Sequence, residues 1–418
     1  MGAFTAALLA FVVYQIPPVH GRLAWRVDLV RAYIGGMIYP ADRAPTPIAR
    51  ASMDPRALTL YTPPAPATRP TPAADSPSDP STAAPQPALP LTEAPALTPT
   101  PLPDQVRLEP PAYEKQTINN CGPATLALYL RMYGWEGSQK DIADMVKPFP
   151  EDRNVNVDEL EYFVRTRVGW LTYQYRVGEK VETIKRFLAA GMPVMIEETF
   201  KMDQPGWPRD DLWAGHYLLI TGYNDAQKAF TTQDTYYGPN RPVDYGELDR
   251  NWESFNRVLI LIYRPEDEPA VQSILGADWD RDANREHALA QAQAEAEADP
   301  KDAFAWFNAG TNLVYFERYA EAVQAYDTAR QIGLPQRMFR YQFGPFLAYF
   351  NASRDDDLLA LTQYALERTP NSEEARLWHG WALYRKGDKS GAAGEFHKAL
   401  ELRPGYGDAE YAVNFVGQ

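Results

Sequence analysis

The 42 residues from 62 to 103 hold 14 of the chain's 37 prolines, and no aromatic residue occurs between Tyr61 and Tyr113. A stretch of Pro, Ala, Thr and Ser buries too little apolar surface to offset its ordering entropy, so residues 62–105 are predicted to form a disordered, partly polyproline linker. At about 3.1 Å per residue it reaches on the order of 100 Å. The chain must therefore fold on either side of this break. Ahead of it, Ala3 to Ile16 is apolar apart from Thr5, Tyr14 and Gln15 and stops at Pro17-Pro18. Such a run rises roughly 21 Å as a helix, short of the roughly 30 Å of a bilayer core, and reads as a signal-like apolar segment. Arg22, Arg26 and Arg31 then interleave with Leu23, Val27, Val30 and Ile34 at helical spacing. That pattern suits a helix lying on a membrane surface, the alternative being a small core helix. Residues 1–61 thus read as an anchor and an amphipathic segment. An anchor followed by a Pro/Thr-rich stalk is the layout of a protein held to a membrane outside the cytoplasm.

Residues 106–265 carry mixed signals. Pro123, the spacing of Leu126, Leu130 and Tyr133, and Gly134 as a stop predict a helix over Pro123 to Tyr133. Ser138 with Asp141 and Asn156 with Glu159 mark two helix starts, and Val181, Ile184, Phe187 and Leu188 a further helix ending at Gly191. Strands are predicted at Trp170 to Tyr175, Pro193 to Glu198, His216 to Gly222, Phe230 to Asp234 and Val258 to Tyr263. With helices first and most strands last, the expected fold is α+β with a largely antiparallel sheet.

Residues 282–418 return to helices and repeat internally. Trp306, Gly310, Ala322, Tyr326, Ala329 and Pro335 recur in kind as Gly380, Ala392, Phe396, Ala399 and Pro404. A weaker copy, Phe346, Leu358, Ala365 and Pro370, lies between them, with Gln342, Pro345 and Thr362 where an aromatic, a small residue and an aromatic are expected. The offsets fit the 34-residue tetratricopeptide repeat, so this block resembles that family and is expected to be an all-α solenoid that binds a protein partner. Arg285 to Ala298 resembles a leading half repeat and Asp408 to Val416 a capping helix.

The composition narrows the chemistry. Lys+Arg number 41 against Asp+Glu 55, a net charge of −14, which argues against a nucleic-acid binder. The single cysteine excludes an intrachain disulfide and any multi-thiolate zinc site. No phosphate-cradling, dinucleotide-binding or common zinc motif occurs, and no cofactor or metal is called for. What remains is Cys121 itself, directly before Gly122-Pro123 at a predicted helix start, where the dipole and free N–H groups favour a thiolate. A buried structural thiol is the alternative. Gln116, five residues earlier, can supply an amide to an oxyanion shared with the backbone N–H of Cys121. His216 is the only histidine of the same segment and so the candidate base. Asp234, on the neighbouring predicted strand, is the best placed orienting group. Asn224-Asp225 reads instead as the turn between these strands, and Asp244 lies beyond the Gly238-Pro239 break.

Taken together, Gln116-Thr-Ile-Asn-Asn-Cys121-Gly-Pro-Ala, Ala190-Gly-Met-Pro-Val194, Gly215-His216-Tyr with Gly222-Tyr, and Gln233-Asp234 with Gly238 resemble the papain-like peptidases whose best-known members remove double-glycine leaders from bacteriocins. The resemblance covers residues 106–265. It implies a papain-like fold with Cys121 as nucleophile, His216 as base, Asp234 as orienting residue and Gln116 as oxyanion donor. Thr235 departs from the proline that many relatives carry there, and no transporter or ATPase region accompanies the segment. The expected function is hydrolysis of peptide bonds in a peptide or protein substrate through a thioester. The alternatives are a silent peptide-binding scaffold on the same fold and an amidase or acyltransferase. The loop Lys201 to Ala214, with Trp207, Asp210, Asp211 and Trp213, is expected to form a wall or lid of the groove.

Overall fold

The structure, a computed structural model, describes residues 5, 13–14, 17–38, 43–48, 101–147, 149, 152 and 154–417. Nearly all of the apolar run from Ala3 to Ile16, and the linker up to residue 100, lie outside the described residues. Helix α1 (Pro17–Ile38) covers the amphipathic segment. Strand β1 (Gln105–Arg107) follows, then α2 (Cys121–Arg131), α3 (Gln139–Val146), α4 (Val157–Arg167), β2 (Thr172–Arg176), α5 (Val181–Ala189), β3 (Val194–Lys201), β4 (Trp213–Asn224), β5 (Ala229–Asp234), β6 (Gly238–Asp244), α6 (Tyr245–Glu253), β7 (Leu259–Tyr263) and α7 (Glu268–Leu275). Among the described residues no helix is long and apolar enough to cross a membrane.

Both predicted capping boxes form. Ser138 N–H donates to Asp141 Oδ2 at 2.8 Å to start α3, and Glu159 N–H donates to Asn156 Oδ1 at 3.0 Å to start α4. The sheet runs β2-β7-β3-β4-β5-β6, with β1 on β4, and every pairing is antiparallel. Both faces are covered, and the period of two sorts the strand residues between them. Met195, Leu219, Ile260 and Ile262 pack with Leu126, Tyr129 and Leu130 of α2. Ile196, Leu218, Leu259 and Leu261 pack on the other side with Ile184, Phe187 and Leu188 of α5. The α+β fold with an antiparallel sheet agrees with the sequence. Where the sequence suggests a break at Gly238-Pro239 the chain forms β6 and α6; β6 is an edge strand, where a missing ladder donor is tolerated. Asp244 caps α6, accepting from Gly246 N–H at 2.9 Å and Glu247 N–H at 3.1 Å.

The remainder is helical: α8 (Arg281–Ala298), α9 (Ala303–Tyr315), α10 (Tyr319–Ile332), α11 (Met338–Tyr341), α12 (Gly344–Asn351), α13 (Asp355–Arg368), α14 (Glu373–Arg385), α15 (Lys389–Leu402) and α16 (Gly407–Val416). Helices α9/α10 and α14/α15 are the first and third repeats. A Cβ on Gly310 would lie 2.7 Å from the Tyr326 ring, and one on Gly380 would lie 2.4 Å from the Phe396 ring. The same glycine therefore lets the same aromatic enter in both copies, which explains the spacing in the sequence. This all-α part shares one apolar cluster with the sheet region, in which Phe307, Leu313 and Phe346 of the repeats join Trp213, Phe255 and Ile260. Helix α1 and the segment after it, residues 43–48, rest on the same body: Gly36 meets Trp207, Arg330 donates Nε to Pro45 O at 2.9 Å, and Ile48 N–H reaches Asp357 Oδ1 at 3.1 Å.

Candidate active site

Cys121 is the first residue of α2, partly exposed, and lines one cleft with His216, whose ring acts on its thiol. The loop before it is held from below. Gln139 Oε1 accepts from Thr117 N–H at 2.8 Å and Asn120 Nδ2 at 3.0 Å, and its Nε2 donates to Glu114 Oε1 and Lys115 O, both at 2.9 Å. Lys147 Nζ donates to Asn119 O at 2.7 Å. Nothing in the sequence pattern singles out Gln139 or Lys147, since each sits on or beside an ordinary amphipathic helix.

His216 lies within β4, four residues into a strand that starts at Trp213, and not at its opening as the sequence suggests. Leu219 pairs with Gln233, which puts Asp234 opposite residue 218 and diagonally across from His216 on the same face. His216 Nε2 donates to Asp234 Oδ1 at 3.1 Å, which leaves Nδ1 for the thiol. Asp234 Oδ1 also accepts from Tyr236 N–H at 2.8 Å and Tyr237 N–H at 3.0 Å. Phe200 covers the imidazole with ring centroids 5.1 Å apart.

Gln116 lines the same cleft as Cys121 and His216. Its Oε1 accepts from Thr235 Oγ1 at 2.9 Å, and its backbone N–H donates to Thr235 O at 2.9 Å. Thr235, the departure from the resembled pattern, thus fixes the amide with its oxygen occupied and its Nε2 donor available. The structure brings Cys121, His216, Asp234 and Gln116 into one site.

The electrostatics favour a charged pair. Burial pushes the Cys121 thiol up, but the hydrogen bond and charge of His216, the Tyr217 backbone and Lys147 together bring it below the ordinary thiol value. Burial lowers the basicity of His216, and hydrogen bonds to Asp234 and Cys121 outweigh it, raising the imidazole to about 10. Asp234 is pushed up by burial and, on balance, held below the usual carboxylate range by His216 and its two backbone donors. The proton shared by Cys121 and His216 belongs to the pair, and both shifts favour thiolate with imidazolium over the neutral pair. Two neighbouring carboxyls stay out of this exchange. Burial raises Glu198, opposite His216 on β3, to about 8, and raises Glu197, beside Cys121, well above the ordinary range. Their signal in the sequence is two consecutive glutamates at the end of an apolar strand.

The cleft has a volume of about 420 Å³. Segments 115–119 and 202–206 form two of its sides, and Arg337, Arg340 and Tyr341 of the repeats form another. The expected lid is therefore partly a wall, but its tryptophans face elsewhere. Trp207 is buried against Arg337, whose guanidinium lies 4.0 Å from its ring, and Asp211 Oδ2 accepts from Gln336 N–H at 2.7 Å. Gly215, next to His216, is needed for close approach: a Cβ there would lie 2.7 Å from Phe255 and 3.2 Å from Tyr341. Gly215→Ala is expected to cost about 1–3 kcal/mol by overpacking, measured as a lower midpoint in urea.

Among the described residues no group of three or more His, Cys, Asp or Glu gathers as a metal site would. No curated protein matches the chain. Similar solved structures include one described as a C39-like peptidase from Bacillus anthracis (15% identity, 38% of this chain and 96% of that one, TM-score 0.31). Others are a double glycine motif protease from an AMS/PCAT transporter in complex with its leader peptide (16%, 38% and 94%, TM-score 0.29) and YrrB, a TPR protein with an unusual peptide-binding site (28%, 32% and 67%, TM-score 0.29). The segment that carries Cys121, His216 and Asp234, residues 107–260, matches the Peptidase_C39 like family.

Proposed function

We propose that the chain is a cysteine-dependent peptidase that cleaves peptide bonds through a thioester. The observation that carries this reading is the continuous line from Cys121 through His216 to Asp234 on the wall of an open cleft, with the thiol depressed and the imidazole raised. The family match over residues 107–260 supports it. The Cys121 thiolate attacks the substrate carbonyl carbon, and the new oxyanion takes hydrogen bonds from Gln116 Nε2 and the Cys121 backbone N–H. As the C–N bond breaks, the His216 imidazolium gives its proton to the departing amine. Water then attacks the thioester, His216 accepts its proton, and the C–S bond breaks to release the acid and restore the thiolate. Asp234 keeps the ring oriented and its charged form stabilised throughout.

In the same reading, the repeats recruit a protein partner and residues 1–61 hold the enzyme to a membrane outside the cytoplasm. The exposed Val30, Tyr33, Met37 and Ile38 of α1 support the surface contact. Profiling the full chain against a peptide library tests the chemistry. Products are expected with the unsubstituted protein and none with Cys121→Ala; equal product formation by both would overturn the mechanism.

A further inference from the structure

The two consecutive glutamates of β3 point to opposite faces of the sheet, because successive side chains in a strand alternate. Glu198 pairs with His216 and shares its face. Leu218 continues that face along β4, Asp234 takes it up on β5, and Arg241 and Val243 on β6. Helix α6 turns Glu247 and Asn251, one turn apart, towards the same space. These side chains enclose a second pocket of about 320 Å³, at the lower end of the roughly 300–1,000 Å³ of small-ligand sites. It shares Phe200 and His216 with the catalytic cleft, and its other walls are its own.

Glu198 is only 8% exposed, and its Oε2 has no hydrogen-bond partner among the described residues. A buried carboxyl oxygen left without a donor costs stability, and a donor on an incoming ligand would relieve that cost. The cations around it are already engaged. His216 holds Asp234 at 3.1 Å, and Arg241 lies 3.7 Å from Asp234 Oδ2 with its guanidinium 4.3 Å from the Tyr237 ring. Lys201 is exposed at the rim. Burial first, and then the charges of Asp234 and Glu247, keep the proton on Glu198 against the pull of His216 and Arg241. An anion placed here would meet those same carboxylates, whereas a cation would displace the proton and take its place.

We infer that this pocket is a second ligand site, for a small primary alkylamine in its ammonium form, with Glu198 as the buried counter-ion and Glu247 as the acid at its rim. Phe200, Leu218 and Val243 supply the apolar wall that the alkyl stem needs. On binding, the Glu198 carboxyl gives its proton to solvent and the ammonium donates its N–H groups to the carboxylate. The ligand then lies against Phe200 and the imidazole wall that the catalytic cleft also uses, so an amine held here is an effector placed next to His216. The site does not depend on Cys121 being a nucleophile, since Cys121 is not among its walls.

Titrating n-butylammonium chloride into the full chain, with binding read from the broadening of its own NMR signals, tests this. Glu198, raised to about 8, must lose its proton while the amine keeps its own, so affinity should rise about tenfold from pH 7 to pH 9. Sodium butyrate and n-butanol, of similar size, should bind about tenfold more weakly than the amine at pH 9, or not at all. Glu198→Gln keeps the shape and removes the counter-charge; it should weaken amine binding about tenfold or more at pH 9 and abolish the pH dependence. Cys121→Ala should bind the amine as the unsubstituted chain does. Equal binding of n-butanol, an affinity that does not rise with pH in the unsubstituted chain, or undiminished binding in a folded Glu198→Gln overturns the inference. Loss of binding in Cys121→Ala would place the amine in the catalytic cleft and overturn it as well. None of these results bears on the peptidase reading, which the peptide-library comparison decides separately.

Discussion

His216→Ala is expected to slow alkylation of Cys121 by iodoacetamide at pH 7 about 100-fold or more, the largest effect of any single change that leaves the thiol in place. Two opposed influences act on that thiol. Burial pushes it up from its ordinary value of 9.0, and His216, through its hydrogen bond and its charge, is the main group pulling it down. Without the imidazole, burial prevails and the thiol titrates above the ordinary value, so about 1% or less is thiolate at pH 7. The pH profile distinguishes this from a steric effect. In the unsubstituted protein the pH profile should be displaced below that of an ordinary thiol, and the rate should fall on acidification as the depressed thiol takes up its proton. The imidazolium, raised to about 10, should persist through neutral pH and be lost only as the pH climbs past that value, which sets the alkaline limit of turnover. In His216→Ala the rate should instead keep rising with pH. Similar rates and profiles for the two proteins would remove His216 from the mechanism.

Much of this site was legible because chemistry constrains residue type and spacing. One cysteine before Gly-Pro, one histidine in the segment and an aspartate on the next strand leave few arrangements, and the register of β4 with β5 turns that sequence proximity into a hydrogen bond. Gln116 was legible for the same reason. Gln139, Lys147 and Tyr341 were not, because their contribution depends on tertiary placement: Gln139 acts through five side-chain hydrogen bonds to a loop that precedes it by about twenty residues, and Tyr341 comes from a region that reads as a separate solenoid. The edge strand β6 was hidden by two prolines, which mark a break in a central strand but are harmless at a sheet edge. The failures of the repeat pattern at Gln342, Pro345 and Thr362 were visible, and only the structure gives them a reason. Gln342 bonds to Ser254 O, Pro345 starts a shortened helix, and Thr362 turns its hydroxyl to Leu358 O at 2.8 Å and lies 3.0 Å from His379 Nδ1.

Arg337→Ala is expected to destabilise the full chain by about 3–5 kcal/mol, read as the shift in its urea unfolding midpoint. Arg337 and Asp210 are almost wholly buried, and they form a two-point ion pair between the second repeat and the loop ahead of β4. Removing the guanidinium leaves the Asp210 carboxylate buried without its counter-charge and strips Trp207 of the cation stacked 4.0 Å from its ring. The cost should narrow on acidification. Burial pushes Asp210 up, Arg337 and the Gly206 and Leu212 N–H groups pull it lower still, and its net position below the ordinary carboxylate range means that it stabilises the fold above that range and ceases to as pH falls through its folded value. Arg337→Met combined with Asp210→Asn should recover a large part of the loss, because the uncompensated charge is gone while the Asn carbonyl oxygen can still accept from one of the two loop N–H groups. The same pair sets the position of residues 202–206 against the repeats, and those residues line the cleft with Arg337 itself. Arg337→Ala should therefore raise KM for a peptide substrate at temperatures where the variant remains folded, whereas iodoacetamide, which needs no groove, should still find the Cys121–His216 pair. A variant as stable as the unsubstituted protein, with an unchanged KM, would mean that the loop and the repeats hold the groove together without this ion pair.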